Sequence, residues 1–202
     1  MVSVYELKPR FQTMLRPFCG GLAARGVRPN QVTWTAILLS LVSGGLIVAF
    51  PESRWPLLWV PAALFLRMAL NAVDGMLARE HEMKTRAGAL LNEAGDVASD
   101  ALLYLPFACV PGLPAAWIAV AVVLAGLTEV MGLAAVGIGA PRGYQGPMGK
   151  SDRAAVFGLL AFLLGLGVPA GRWTVVVFGL MNFLMMFTVW NRARAALKGE
   201  GA

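Results

Sequence analysis

Six long runs of apolar residues dominate the chain, at 31–50, 55–78, 87–109, 114–138, 153–168 and 173–193. Each is close to the ~20 residues that a helix needs to cross a bilayer core. Prolines punctuate the gaps: Pro29, Pro51, Pro111, Pro114, Pro141, Pro147 and Pro169. The fifth run is the shortest, and the third contains Pro106 and several polar residues, so hydropathy alone scores it weakly. Ahead of them Leu7, Phe11, Leu15, Phe18 and Leu22 recur three or four apart with basic residues between. That pattern predicts a short helix lying in the membrane interface, which Pro9 and Pro17 are expected to break or kink. The expected fold is therefore all-α: an interfacial amphipathic segment over 1–28, then an integral membrane domain of six transmembrane helices over 29–202.

Composition points the same way. Of 202 residues, 58% are apolar and 14% charged, against roughly 45–50% and 25% in soluble domains. Mean hydropathy is +0.68. Two cysteines, Cys19 and Cys109, offer no disulfide framework or Cys-based zinc site, and His81 alone excludes a His-rich metal site. The net charge of +6 would suggest nucleic acid in a soluble protein. In a membrane protein it reads instead as lysine and arginine on the cytoplasmic side.

The placement of those charges predicts an orientation. Basic residues fall before the first span (Lys8, Arg10, Arg16, Arg25, Arg28), after the second (Arg79, Lys84, Arg86), after the fourth (Arg142, Lys150, Arg153) and after the sixth (Arg192, Arg194, Lys198). The opposite loops hold only Arg54 and Arg172. Both termini are therefore expected in the cytoplasm, with an even number of crossings.

Polar residues inside a span are costly and mark function by default. Arg67, Asn71 and Asp74 share one face of the second span. Asn92, Asp96 and Asp100 share one face of the third. Oxygen ligands from two facing helices suit a hard divalent cation such as Mg²⁺ or Mn²⁺. The plainer reading is a polar clamp between helices, in which Arg67 neutralises a carboxylate. A hydrophilic pocket is expected between these two spans.

The stretch from Asn71 through Asp74, Gly75, Ala78, Arg79 and Gly88 to Asn92 and Asp96 resembles the CDP-alcohol phosphotransferase motif, D-x2-D-G-x2-A-R-x8-G-x3-D-x3-D. Every spacing matches and six of the eight fixed residues match. The departures are Asn71 and Asn92, where that family has its first and third aspartates. The run Pro29-Asn30-Gln31-Val32-Thr33 is similar to the family's lead-in to its first span.

The resemblance implies a phosphatidyltransferase in phospholipid synthesis at a bacterial inner membrane. A hydroxyl of a small polar alcohol would attack the phosphorus of CDP-diacylglycerol, releasing CMP. Carried over by position, Asp74 and Asp96 would be metal ligands, with Asn71 and Asn92 in the other ligand positions and one or two Mg²⁺ or Mn²⁺ ions as cofactor. Asp96 would be the base. Gly75 and Ala78 would admit the nucleotide, Arg79 would lie beside it with Asp74, and Gly88 would keep the opposite helix close. Asp100, one turn beyond Asp96, is placed to compensate for the lost charges. Membrane lipids are the expected surroundings, and a homodimer is left open.

The loop from Gly139 to Arg153 is rich in glycine and basic residues. Arg142, Lys150 and Arg153 are its candidates for holding the acceptor or its phosphate, and the cluster leans toward a phosphate-bearing alcohol, with a zwitterionic or neutral one left open. It is not a P-loop, because Tyr144 stands where the first glycine is required. Ser151 is the candidate cap of the fifth span, with Asp152 in its first turn. Glu129 and Asn182 are further polar residues within spans. The alternatives are a catalytically weak relative that binds lipid or nucleotide, and a small transporter, which lacks support because no internal repeat is present. The acceptor, and whether CDP enters on the lipid or on the alcohol, are not specified by the residues.

Overall fold

The computed structural model describes residues 4–198, with side chains from residue 11 onward. Among the described residues there are seven α-helices and no strand, as the all-α reading requires. They are α1 (Val4–Ala24), α2 (Pro29–Ala49), α3 (Trp55–Glu80), α4 (Arg86–Tyr104), α5 (Ala115–Gly137), α6 (Lys150–Gly165) and α7 (Arg172–Leu197). A 3-10 turn over Leu105–Cys109 prolongs α4. Proline at position 106 lacks the N–H that another α-helical turn would need, so the helix tightens there.

Local chemistry sets the helix starts. Thr85 caps α4 by accepting the Gly88 N–H at 2.9 Å. The Gln31 side chain accepts the Arg28 N–H at 2.8 Å before α2. Helix α6 begins three residues earlier than the pattern suggested, because Gly149 and not Ser151 is its N-cap. The Asp152 carboxylate folds back to accept the Gly149 N–H at 2.8 Å, and its charge favours the helix N-terminus.

Polarity is inverted relative to a water-soluble bundle. Trp34, Leu38, Phe65, Val123, Val176, Phe183 and Trp190 face outward, while Arg67, Asp74, Asp100, Thr128, Arg153 and Arg192 are buried. Apolar residues outside and charges inside are what a lipid surround demands. Helices α2, α3, α5 and α7 are each long and apolar enough to cross a membrane. Helix α4 is more polar, with Glu93, Asp96 and Asp100 in its length, and α6 has 16 residues.

Helix α2 packs on both α3 and α4; α6 packs on α3; α5 packs on α4 and α7. One core runs through the far half of the bundle, where the Tyr104 and Phe157 rings stack at 4.0 Å with Phe107 and Phe178 edge-on around them. Helix α1 runs through Pro9 and Pro17 without interruption. It lies on α3: Leu15, Cys19 and Leu22 pack with Val73, Met76 and Leu77, Phe11 meets Phe65 edge-on at 6.0 Å, and Arg16 pairs with Glu80 at 3.1 Å. Met14 and Phe18 remain outward and exposed. The side chains of Leu7, the first member of the predicted stripe, and of Lys8 and Arg10, two of the basic residues beside it, lie outside the described residues.

Candidate functional site

The two polar faces meet as an antiparallel ladder. Helices α3 and α4 run in opposite directions, so partners ascend one helix as they descend the other. The deepest rung joins Arg67 to Asp100 in a buried ion pair. The middle rung is Asn71 Nδ2 donating to Asp96 Oδ1 at 3.3 Å. The outer rung is Asn92 Nδ2 donating to Asp74 Oδ2 at 3.1 Å. Each rung pairs one carboxylate with one nitrogen donor. The two asparagines thus point their amides at the two aspartates that remain of the motif. With aspartate at either position, that rung would set two carboxylates against each other.

Neighbouring elements hold the ladder in place. Thr33 of α2 donates its hydroxyl to Asp74 Oδ2, so the lead-in segment anchors the outer rung. A Cβ on Gly88 would lie 2.7 Å from Asn30 Oδ1 and 2.9 Å from Thr85 Oγ1, so a side chain where α4 approaches the start of α2 would displace the Asn30 amide and the Thr85 cap. Lys150, the first residue of α6, pairs with Asp96 Oδ1. Arg153 reaches Asp100 Oδ2 at 3.1 Å from the side opposite Arg67. Asp100 is 4% exposed and lies between two guanidinium groups, so the structure gives it to the clamp rather than leaving it open beside Asp96.

A second set of charges surrounds Glu129 on α5. Its carboxylate lies 3.1 Å from Arg153 Nη2, 3.7 Å from Arg142 Nη2 and 3.8 Å from Arg192 Nη1. Arg142 is also held by Glu93 in a two-pronged pair. Glu93, Glu129, Arg142 and Arg192 border a polar cavity of about 430 Å³, which Asn92 and Asp96 of α4, Tyr144, Gly146 and Gly149 of the loop, and Lys150, Ser151 and Asp152 at the start of α6 also line. The cavity lies on the α5–α6–α7 side of α4, not between α3 and α4 as the pattern suggested. The rungs bridge the α3–α4 seam, and Asp96 is accessible from the other side.

The remaining motif residues lie at the same end of the bundle. Arg79 is exposed at the close of α3 and folds back over Gly75, where a Cβ would lie 2.8 Å from its Nη2. Ala78 is half-buried beside it. Of the loop candidates, Lys150 and Arg142 line the cavity, whereas Arg153 is 1% exposed and holds Asp100, Glu129 and the Thr128 hydroxyl. Sequence reasoning passed over Glu93, because it points about 100° away from Asn92 on the helix. That angle is what turns it toward Arg142. Arg192 was counted only as a cytoplasmic charge; it donates to Gln145 O at 3.3 Å and to Thr128 O, pinning the loop.

Comparison with known proteins decides the family. Residues 27–190 match the family model for CDP-alcohol phosphatidyltransferase. The chain belongs to the CDP-alcohol phosphatidyltransferase family. It is 41% identical over 198 residues to the inner membrane protein YnbA of Escherichia coli (strain K12), with 97% of each chain covered. Its fold is that of phosphatidylinositol phosphate synthase (PgsA1) of Mycobacterium tuberculosis. A structure of that enzyme with CDP-DAG bound superposes with a TM-score of 0.75 at 18% identity, covering 89% of this chain and 92% of the other. A second, with manganese and citrate, gives 0.76 at 19% identity, covering 90% and 88%. The chain is an integral membrane phosphotransferase-family protein of phospholipid synthesis, with the family motif on the α3–α4 ladder.

Proposed function

We propose that the protein transfers the phosphatidyl group of CDP-diacylglycerol to a hydroxyl of a small polar alcohol, releasing CMP. The observation that carries this reading is the ladder: the matched motif brings Asp74 and Asp96 to one end of the bundle, with Asp96 opening into a polar cavity. In this reading the alcohol sits in the cavity and its oxygen attacks the phosphorus that carries the diacylglycerol. The P–O bond to CMP breaks, CMP leaves with the bonding electrons, and Asp96 accepts the hydroxyl proton. Arg79 holds the nucleotide beside Asp74, Gly75 and Ala78, while Gly88 keeps α4 against α2.

The residues fit one hard cation. Asp74 Oδ1, Asp96 Oδ2 and the two asparagine amide oxygens are the acceptor atoms that the rungs leave unused. Among the described residues no group of three or more His, Cys, Asp or Glu is arranged to hold a metal, and the ladder's own donor set is two carboxylates and two amides. A Mg²⁺ or Mn²⁺ ion held by Asn71, Asp74, Asn92 and Asp96 would supply positive charge against the pyrophosphate. The manganese in the PgsA1 structure supports a divalent cofactor.

The membrane arrangement is proposed on the same footing. Helices α2–α7 make six crossings, with α4 and α6 completing the four apolar ones. α1 rests in the interface with Met14 and Phe18 directed into lipid. The termini, the site and the basic loops face the cytoplasm, and the membrane is a bacterial inner membrane, as the relative's name supports. A second reading, a catalytically weak relative that binds lipid or nucleotide, is favoured by the two amides in the rungs. CMP release from CDP-diacylglycerol across a panel of alcohols, with and without Mn²⁺, separates the two. Turnover supports the transferase, and CDP binding without turnover supports the weak relative.

A further inference from the structure

Every cation on or beneath the cavity wall already has a carboxylate. Arg142 is paired with Glu93 and Glu129, Lys150 with Asp96, and Arg192 with Glu129. Behind them Arg153 is shared between Asp100 and Glu129, and Arg67 is held by Asp100. The lining itself carries four carboxylates, counting Asp152, against three cations. A phosphomonoester would bring about two negative charges to a wall with no surplus positive charge of its own, since the charge of an ion at Asp74 and Asp96 would be met by the donor's pyrophosphate. Like charges juxtaposed in such a site turn a partner away.

From this balance we propose that the acceptor alcohol is net-neutral, an uncharged polyol or a zwitterionic amino alcohol, and that Glu93 sets this choice by occupying Arg142. The inference rests on the phosphatidyl-transfer reading and names its substrate class. It also reverses the lean toward a phosphate-bearing alcohol that the basic loop suggested from sequence. A wall bearing both signs offers acceptors for hydroxyl or ammonium hydrogens at Glu93 and Glu129. It offers donors for hydroxyl or carboxylate oxygens at Arg142 and Arg192. Glu93 and Arg142 each have about a quarter of the side chain exposed, so their pairing is open to the entering alcohol.

The test uses the purified full chain in detergent with CDP-diacylglycerol and Mn²⁺. CMP release is followed with glycerol and myo-inositol, each beside its own phosphate ester, and with serine alone, because its phosphate ester keeps no hydroxyl to react. The expected result is a kcat/KM for at least one of the three free alcohols that exceeds those of both esters by roughly tenfold or more. Glu93→Gln should shrink that ratio by about fivefold or more, because it leaves the Arg142 guanidinium only the looser pairing with Glu129 at 3.7 Å. Arg142→Gln should leave the preference for free alcohol in place, since it removes positive charge. A purely structural role for the pair would move both variants alike and would overturn the part given to Glu93. Preference of the wild type for the esters would overturn the neutral-acceptor inference and leave the transferase reading standing. No CMP release with any of the five compounds would count against the transferase reading, and the inference would fall with it.

Discussion

Asn92 on α4 donates its side-chain amide to Asp74 on α3 at 3.1 Å, so a neutral donor stands opposite a carboxylate that is 5% exposed. The rung is satisfied without a cation. The same holds one turn deeper, where Asn71 faces Asp96. The motif's two departures are therefore paired with its two surviving aspartates rather than scattered.

Replacing Asn92 with Asp should make the outer rung depend on a cation. Without metal, two desolvated carboxylates face each other, and folding stability should fall by roughly 1–3 kcal/mol. With Mn²⁺ the loss should be recovered, and affinity for the ion should rise about tenfold, since hard-cation affinity follows ligand charge. Thermal unfolding in detergent, with chelator and with Mn²⁺, reads both effects. An Mn²⁺-induced shift no larger than that of wild type would remove the ion from this rung.

Thr33 gives the outer rung its other donor. Thr33→Val keeps the shape and leaves Asp74 short of one hydrogen bond, which should cost about 1–3 kcal/mol. Urea or thermal unfolding measures it. A neutral result would mean that the Thr33 hydroxyl does not hold Asp74.

The inner rung should behave differently. Asp100→Asn leaves Arg67 and Arg153 buried without their shared carboxylate, at a cost of roughly 3–5 kcal/mol. The variant should therefore be poorly folded in detergent by size-exclusion profile. Retention of both fold and turnover would show that the clamp is dispensable.

Arg79 offers a contrast, because it is exposed at the end of α3. Arg79→Ala should stay within about 0.5 kcal/mol of wild-type stability, while CDP binding measured by calorimetry weakens by roughly tenfold, the loss of one charge-assisted contact. Undiminished CDP binding would take Arg79 out of the nucleotide site.

The helices were legible from the chain, four of them long and apolar enough to cross a membrane, because a lipid surround imposes a strong local signal of long apolar runs with prolines between them. The faces of α3 and α4 were legible too, since three- and four-residue spacing alone aligns Arg67 with Asn71 and Asp74. What each face meets is not a local property. Spacing placed Asp100 beside Asp96, but only the fold supplies Arg153 from α6 and so commits Asp100 to a clamp. Glu93 was unreadable for the same reason, because its partner Arg142 is 49 residues away on a loop without periodicity. The start of α6 was misplaced because a glycine cap has no side chain to announce it.

The central claim is that Asp96, seated between the ladder and the cavity, does the chemistry, and one comparison tests it most directly. CMP release from CDP-diacylglycerol should be measured in wild type and Asp96→Asn, with Mn²⁺ and with chelator, using a panel of small alcohols. Wild type should turn over only with the divalent ion. Asp96→Asn should elute and unfold like wild type and lose at least about 10²-fold in turnover, the usual range for removing a general base. Robust CMP release from Asp96→Asn, or turnover in wild type that ignores the chelator, would contradict it.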